Sequence, residues 1–289
     1  MAFETVTYEK IDKVARVTMN RPEVRNAESK QMNCEMFEAF AMAEKDDDIR
    51  VLILAGAGKS FSAGHDLGSP AAIAEKEASP KYEGGSYEHY LAEEERWVWK
   101  MLGLRDMAKP LIAQVQGYCI MGGCMVATMC DLIVASDDAQ FAERAVRAGG
   151  ASTEYFTYVW ELGYRKAKEY LMTGDFFDAQ EAYRLGMVNK VVPLERLQEE
   201  TLDLANRISM QGASSLKYIK QAVNFIQDNQ GFREGIRYFF NLHQLTHAQR
   251  TLMGPGAGYE GLRGDGGSVK DLLKARDEKF GVGGKHSPS

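Results

Sequence analysis

The chain has 289 residues, a formal net charge of −6 and four cysteines. This length suits one large domain, or one domain with an appended helical region. The negative charge argues against nucleic acid and anionic membranes as main partners, and no apolar run is long enough to span a bilayer. The first residues lack the basic and apolar regions of a signal peptide. We therefore expect a cytoplasmic protein with neither a nucleic-acid nor a membrane partner.

The cysteines and the acidic clusters give no indication of a metal site. The cysteines lack metal-ligand spacing and lie among apolar residues, which is typical of buried free thiols in a reducing compartment. They are Cys34, Cys119, Cys124 and Cys130. Three consecutive aspartates at 46–48 do not have the spacing of a calcium loop. The sequence therefore predicts no metal.

The first part of the chain predicts strands around one amphipathic helix. Two short strands within residues 5–19 form a plausible hairpin. Glu28 or Ser29 is placed to cap a helix that runs to about Lys45. The continuous apolar run at 51–54 is typical of a buried parallel strand.

Two later units each consist of a strand that ends at glycines. The strand at 51–55 leads into SFSAGHDL, residues 60–67, and the strand at 111–115 breaks at Gly117 and enters an apolar helix through the glycine pair 122–123. Glycines at a helix start let a ligand approach unpaired backbone N–H groups. One N–H from each unit would make an oxyanion hole. A tight turn that only packs is the alternative for the second unit.

Four motifs, in order and with matching spacing, carry a family resemblance. They are NRPEVRNA at 20–27, FSAGHDL at 61–67, QVQGYCIMGGC at 114–124, and the segment 171–193. Over residues 4–250 the chain resembles the crotonase superfamily, which is the enoyl-CoA hydratase/isomerase family. The resemblance implies an α/β fold with a crotonase-like ββα spiral core and a C-terminal helical region. It also implies an acyl-CoA thioester as substrate and a homotrimer or hexamer.

The resemblance further implies how the chain is divided. Residues 1–195 are expected to form the core with the acyl-CoA site, and 196–280 a helical oligomerisation region. Residues 281–289 are expected to form a disordered tail because chain termini are often poorly ordered. The glycine-rich segment 251–267 interrupts the helical region and is expected to be flexible. No separate cofactor is expected, because coenzyme A enters as part of the thioester.

Two segments bordering the acyl pocket have different patterns. Residues 69–90 show little periodicity and predict a mobile loop that covers the pocket. Residues 90–104 predict a helix, which in this family borders the exit of the acyl chain. Trp97 in this helix either shapes the pocket or packs in the core.

The later part of the chain is mostly helical by pattern. Helices are predicted at 155–162, 165–172, 179–185, 194–210, 214–228, 232–250 and 268–280. Asp178 and Gly186 have the positions of an N-cap and a C-terminal glycine. Lys217 and Lys220 lie one turn apart, which allows them to serve one phosphate or to form a solvated face.

The resemblance assigns roles to individual residues of the site. The backbone amides of His65 and Gly122 are the implied oxyanion donors, and Asp66 organises the first loop. The His65 side chain either acts as an acid or base or is incidental. The implied substrate-binding residues are Arg25, Ala63, Gly64, Asp66, Leu67, Trp97, Tyr118, Gly123 and Met125.

Both glutamates that the family's hydratases use are replaced, by Met125 and Ala145. The resemblance makes Glu154 the leading replacement, because family members with other reactions carry an aspartate at about this place, matching Thr153 or Glu154. Its aromatic neighbours would raise a carboxyl pKa; an N-cap is the alternative. Glu143 shares a face with position 145 in an extended segment; a surface ion pair with Arg144 or Arg147 is the alternative.

Several reactions remain open at this stage. One acid/base carboxylate suits double-bond isomerisation, while hydration needs a rearranged pair. A thioester-binding protein with little catalysis and a thioester hydrolase are the rivals. A dinucleotide-binding domain is disfavoured, since neither glycine turn has the G-x-G-x-x-G spacing.

Overall fold

A six-stranded sheet forms the centre of the fold in the computed structural model, which describes residues 3–78, 86–148, 150–151, 157–254 and 269–278. Its strands are β1 (Val6–Ile11), β2 (Val14–Met19), β3 (Val51–Gly56), β4 (Leu111–Val115), β6 (Leu132–Ser136) and β9 (Lys190–Val192). The spatial order is β1-β2-β3-β4-β6-β9. The predicted hairpin of β1 and β2 is confirmed as antiparallel, and the other neighbours pair in parallel. β3 and β4 are buried throughout, as their continuous apolar runs require.

A smaller sheet carries the second glycine unit. It contains β5 (Tyr118–Ile120), β7 (Gln140–Ala142) and β8 (Phe177–Asp178) in the order β5-β7-β8. The loop after β3 continues this sheet, because Ser62 N–H donates to the Tyr118 carbonyl and Ile120 N–H donates to the Ser62 carbonyl, at 3.0 and 3.1 Å. These two bonds bring the first glycine unit alongside the second.

Two helices pack against these sheets as their sequences predict. α1 (Lys30–Lys45) is capped by Ser29, whose Oγ accepts from the Met32 N–H at 3.1 Å, so Ser29 and not Glu28 is the cap. α5 (Gly122–Thr128) is buried at each of its residues. The cap leaves Glu28 just outside α1, where its side chain is available for another contact.

The predicted mobile loop at 69–90 is wrong for much of its length. Helix α2 (Pro70–Ala78) follows Ser69, whose Oγ accepts from the Ala72 N–H at 3.2 Å, and helix α3 (Tyr87–Glu93) begins after Ser86. Serine before proline is a helix-start signal that periodicity alone missed. Residues 79–85 lie outside the part of the chain that the structure describes.

The predicted helix at 90–104 is confirmed as part of a continuous helical segment, residues 87–105, that contains a π-helix. We call this segment the helical wall. α3 passes into a π-helix (Glu94–Trp99) and then into α4 (Lys100–Arg105). Trp97, Met101 and Leu104 are buried. π-helical turns are rare and occur frequently at functional sites, and this one contains the buried Trp97.

A break in the middle of α6 (Tyr158–Thr173) lies where the sequence separates two helices. Gly163 has φ 73° and ψ 160° within it. α7 (Ala179–Leu185) has the predicted Asp178 cap and Gly186 terminus. The predicted start of α6 at 155 lies outside the described residues.

The C-terminal helices are confirmed to within a few residues at their ends. They are α8 (Leu197–Ser209), α9 (Ala213–Asn229), α10 (Phe232–Met253) and α11 (Val269–Glu278). α8 packs on the main sheet through Leu197 and Ala205. α10 extends three residues into the segment that was expected to be flexible. Residues 255–268 and the predicted disordered tail lie outside the described residues.

Lys220 does not have the exposed position that a phosphate ligand needs. Its side chain is buried, and its Nζ lies 2.8 Å from Oδ2 of Asp131 and 3.2 Å from the Lys109 carbonyl. Lys217 is exposed. The shared phosphate and the solvated face are therefore both wrong for Lys220, because this side chain joins α9 to the core.

Replacing Lys220 by alanine is expected to destabilise the fold by about 2 kcal/mol, because it leaves the Asp131 carboxyl poorly solvated without its cation. Urea unfolding measures this change, and Lys217→Ala is the matched control on the exposed face. The paired change Asp131→Asn with Lys220→Met is expected to recover part of the loss. Equal effects of the two alanine variants would contradict a structural role for the ion pair.

A cavity of about 430 Å³ lies beside this ion pair, and Glu161 lines it. Burial raises the pKa of Glu161 to about 7, above its ordinary value of 4.5. The folded chain therefore holds this proton more tightly than the unfolded chain does. The resulting stabilisation is complete below pH 4.5 and is lost as the pH rises through 7.

Glu161→Gln is accordingly expected to stabilise the protein by about 1 to 2 kcal/mol at pH 8 and to have little effect at pH 4.5. Urea midpoints at the two pH values measure the difference. Glu195→Gln, at an exposed position, is the control and should be neutral at both. A pH-independent effect of Glu161→Gln would contradict the burial argument.

The cysteines follow the sequence expectation in part. Cys119 and Cys124 are buried and Cys130 is partly buried, all as free thiols, but Cys34 is exposed on α1. The prediction is therefore wrong for Cys34. Among the described residues, no helix has both the length and the apolar character needed to cross a membrane.

Candidate active site

The two glycine turns predicted to act together are in backbone contact. Gly64 has φ +80°, and a Cβ built on it would lie 2.9 Å from the Gly122 nitrogen and 2.7 Å from the Met121 Cβ. A Cβ on Gly123 would lie 2.8 Å from the Ser62 carbonyl oxygen. Only glycine allows such an approach, so these residues position the two turns against each other.

The hydrogen bonds around His65 set the direction of its amide. The Gly64 carbonyl accepts from the Glu28 N–H at 2.8 Å, and the peptide between Gly64 and His65 is trans. In a planar trans peptide the N–H points opposite to the carbonyl. The His65 N–H therefore points away from Glu28. The segment lies between Glu28 and β5, so this amide is directed to the side where α5 begins.

Gly122 is the first residue of α5. Its N–H precedes the helix's own hydrogen-bond ladder, as at every helix start. The structure thus places the two predicted donor amides, those of His65 and Gly122, on adjoining loops that touch through Gly64.

Glu28 is a residue of this site that the sequence reading considered only as a helix cap. It is 1% exposed. A Cβ on Gly122 would lie 2.6 and 2.8 Å from its two carboxyl oxygens, and Ser62 Oγ is 3.5 Å from Oε1. Its place immediately after NRPEVRNA was the available sequence signal. The described carboxylate packed directly against Gly122 is therefore that of Glu28.

Asp66 fixes the first loop as the sequence predicts. Its Oδ2 lies 2.8 Å from the Arg21 guanidinium and accepts from the Ser69 hydroxyl at 2.6 Å. Burial pushes the pKa of Asp66 upward, but hydrogen bonds from Ser69 and Arg21 outweigh it and hold the pKa below its ordinary value. Asn26 supports the same loop by donating to the Phe61 and Ser60 carbonyls.

The His65 side chain has a defined orientation. Its ring stacks on Trp97, with centroids 3.9 Å apart and planes 27° from parallel. The stack connects the first glycine loop to the helical wall of α3, the π-helix and α4. Trp97 therefore reaches the site through His65, and both predicted roles for the imidazole remain open.

A groove of about 670 Å³ runs past the two turns. Predicted residues that line it are Arg25, Ala63, His65, Asp66, Leu67 and Tyr118. Arg25 is exposed and its guanidinium lies 5.1 Å from the centre of the Tyr118 ring. Arg144 and Arg276 also line the groove, where both pair with Asp277. Arg25 is the exposed basic side chain that lines the groove with the first glycine loop, a combination that suits an anionic ligand.

Four predicted substrate-binding residues do not line this groove, and one of them is Trp97, which is buried behind His65. Met125 is buried in α5, Gly123 packs against Ser62, and Gly64 packs against Gly122. These residues therefore hold the two turns in position and do not contact a ligand in the groove.

The candidate carboxylates have different surroundings. Glu143 is 2% exposed, and its Oε1 accepts from the Ala145 N–H at 2.7 Å. Arg144 donates to Asp277 at 2.6 Å. The surface ion pair considered for Glu143 is therefore wrong, because the side chain is buried. Glu154 lies outside the described residues, so its assigned role stays a prediction.

A family comparison decides what kind of site this is. The family model described as enoyl-CoA hydratase/isomerase matches residues 9–255. The chain belongs to the enoyl-CoA hydratase/isomerase family. The crotonase fold and an acyl-CoA substrate, which the sequence motifs predict, are confirmed at this level.

Individual relatives agree with this family. EchA13 of Mycobacterium tuberculosis, named as an enoyl-CoA hydratase, is 41% identical over 85% of this chain and 81% of its own length. The crystal structure of an enoyl-CoA hydratase/isomerase from Xanthobacter autotrophicus superposes with a TM-score of 0.85 at 28% identity, over 97% of this chain and 100% of that one. A hydroxycinnamoyl-CoA hydratase-lyase of Pseudomonas fluorescens is 36% identical over 71% of this chain and 73% of its own.

Proposed function

We propose that this enoyl-CoA hydratase/isomerase family member acts on an enoyl-CoA thioester through an enolate. The N–H groups of His65 and Gly122 hold the enolate oxygen. The close contact of Gly64 with the Gly122 nitrogen carries the proposal, since it places both donor loops at one point. Two preorganised amides stabilise the negative charge that develops on the thioester oxygen.

The groove supports coenzyme A as the bound group. Arg25 is exposed beside Tyr118 and is placed to contact a phosphate. The thioester then lies near His65 and Met121, which line the same groove. A polyanionic carrier joined to an acyl group accounts for both the basic and the apolar lining.

We assign proton transfer to Glu28, with Glu154 as its proposed partner. Glu28 lies against Gly122, the amide that would bind the thioester oxygen. In isomerisation of a 3-enoyl thioester, the carboxylate takes a proton from the carbon next to the thioester and becomes neutral as the oxygen becomes negative, and the proton then returns to the far end of the shifted double bond. In hydration, the neutral acid gives its proton to that same carbon of the enolate. Two negative charges therefore never coexist at this point, which makes a buried carboxylate compatible with an oxyanion hole.

Glu28 and Glu154 together would supply the acid and the base that hydration needs. They would replace the family's two glutamates, whose positions are Met125 and Ala145 here. Either residue alone would suffice for double-bond isomerisation. The hydratase-lyase relative favours hydration and adds aromatic enoyl thioesters to the candidate substrates. A thioester-binding protein with little catalysis and a thioester hydrolase are the remaining alternatives.

The exposed apolar side of α9 supports the proposed homotrimer or hexamer. Its exposed side chains include Tyr218, Ile219, Val223, Phe225 and Ile226. Such a face is commonly covered by another subunit. Light scattering of the purified chain measures the subunit number, and a monomer would contradict this part of the proposal.

Mass spectrometry of products tests the reaction. The protein is mixed with 2-enoyl-CoA, 3-enoyl-CoA and hydroxycinnamoyl-CoA thioesters. A gain of water supports hydration, a moved double bond supports isomerisation, and an aldehyde from hydroxycinnamoyl-CoA supports hydration followed by cleavage. Free coenzyme A without one of these products would favour thioester hydrolysis. Binding without any product would favour the non-catalytic alternative.

A further inference from the structure

Three of the five histidines in the chain meet at one place outside the groove. His89 and Glu93 lie one turn apart on α3, and His243 and His247 lie one turn apart on α10. Residues four apart on a helix share a face. The two helices therefore each present a pair of potential metal ligands to the other.

One donor atom each from His89, Glu93 and His247 lie within 4.8 Å of one another, close enough to share one ion, and His243 lies beside them. His247 Nε2 lies 3.3 Å from Glu93 Oε2 and 2.9 Å from His243 Nε2. His89 Nε2 lies 3.6 Å from Glu93 Oε1, and His243 Nε2 lies 3.7 Å from Glu93 Oε2. A tetrahedral zinc ion with ligands at about 2.0 to 2.1 Å separates its ligand atoms by about 3.3 Å. The observed separations scatter around that value.

Hydrogen bonds behind the cluster hold its side chains in place. His243 Nδ1 lies 2.9 Å from the Ala151 carbonyl oxygen, which can only accept, so Nδ1 carries the proton. In the neutral ring, His243 Nε2 is then an acceptor that lies 2.9 Å from His247 Nε2, so His243 holds the His247 ring in place. Gln244 Nε2 donates to Glu93 Oε2 at 2.7 Å. Histidine ligands of metals commonly have this kind of outer partner, and so do carboxylate ligands.

We propose that His89, Glu93 and His247 bind one Zn²⁺ ion. Imidazole and carboxylate are ligands that zinc accepts together, and three protein ligands leave the fourth tetrahedral position to a water molecule. The sequence predicted no metal. Each i,i+4 pair is unremarkable by itself, and about 150 residues separate the two pairs. Only the packing of α10 on α3 brings them together.

The ion would join the C-terminal helices to the wall of the active site. Glu93 directly precedes the π-helix that carries Trp97, and Trp97 stacks on His65. His243 also contacts Ala151, close in sequence to Glu154. These residues are assigned a positioning role through the helical wall, with no direct contact to the substrate.

Metal binding is tested on the full-length chain, freed of any affinity tag and treated with a chelator. Co²⁺ is titrated first, because tetrahedral Co²⁺ absorbs strongly in the visible range, and Zn²⁺ then displaces it. The expected result is one equivalent per chain, a raised melting temperature with Zn²⁺, and at least about tenfold weaker binding in His247→Gln and in His89→Gln. His286→Gln is the matched control, because His286 lies outside the cluster in sequence.

The alternative is a hydrogen-bonded His/Glu cluster that holds no ion. Glutamine at 89 or 247 keeps hydrogen-bonding capacity, so either variant can report even when the other fails to fold. Absence of saturable Co²⁺ binding would overturn the proposal. Equal zinc affinity in the wild-type protein and in a folded glutamine variant would overturn it as well.

Discussion

Replacing Glu28 by glutamine is expected to lower kcat by about 10² to 10⁴-fold, the usual range for loss of a general acid or base. KM is expected to change only a few-fold, since glutamine keeps the volume of the side chain that packs against Gly122. The loss is expected in kcat because the interaction is made with the transferred proton and not with the bound thioester. Initial rates with the best enoyl-CoA substrate measure both constants.

Controls separate this effect from a change in packing. Glu38→Gln alters an exposed carboxylate on the neighbouring helix α1 and should leave both constants unchanged. Glu154→Gln should cause a loss of similar size if the two residues act as an acid/base pair. A Glu28→Gln enzyme with kcat within threefold of the wild-type value would exclude Glu28 from proton transfer and leave Glu154 or Glu143 as the candidate.

The sequence predicted that the two glycine loops meet because the strands and the glycines that follow them are local features of the sequence. Gly64 and Gly122 each follow a buried strand, and parallel neighbouring strands bring the turns after them to the same edge of a sheet. The order of strands in the main sheet, with β3 beside β4, supplies that neighbourhood. The strand and glycine pattern therefore predicted that the two turns could meet, and the family resemblance identified His65 and Gly122 as the donor residues.

Side chains that act across the fold were harder to predict. Glu28 and Lys220 both occur in segments that fit a solvated position, yet each is buried against a partner distant in sequence. Nothing local distinguishes Lys220 from Lys217 on α9. Their environments follow from tertiary packing, which a one-sequence pattern does not contain.

The start of the helical wall was predicted too late in the sequence, because residues 69–90 were interpreted as a loop. Residues 69–90 lack periodicity, but Ser69 and Ser86 cap helices within that stretch. The wall therefore begins earlier than predicted and includes His89, which is one turn from Glu93. Capping residues were a better guide than the apolar pattern in this segment.

Replacing Gly64 by alanine is expected to reduce kcat/KM by at least about 10²-fold, the cost of disturbing an oxyanion donor. The new Cβ would lie within 3 Å of Met121 Cβ, the Gly122 nitrogen and the Ile120 carbonyl oxygen. These are positions that cannot rotate away, so the two loops must separate and the His65 and Gly122 amides lose their common point. The positive φ of Gly64 adds strain of about 1 to 2 kcal/mol for any other residue.

The Gly163→Ala variant measures the backbone strain of a positive φ without the steric contact. Gly163 has a similar φ of +73°, but nothing lies within 4 Å of a Cβ built on it. This variant should lose stability through backbone strain and keep its kcat/KM, whereas Gly64→Ala should lose both. Urea unfolding and initial rates on the two variants measure the difference. Full activity in a folded Gly64→Ala enzyme would contradict the two-amide mechanism, because the donors would then function without the contact that aligns them.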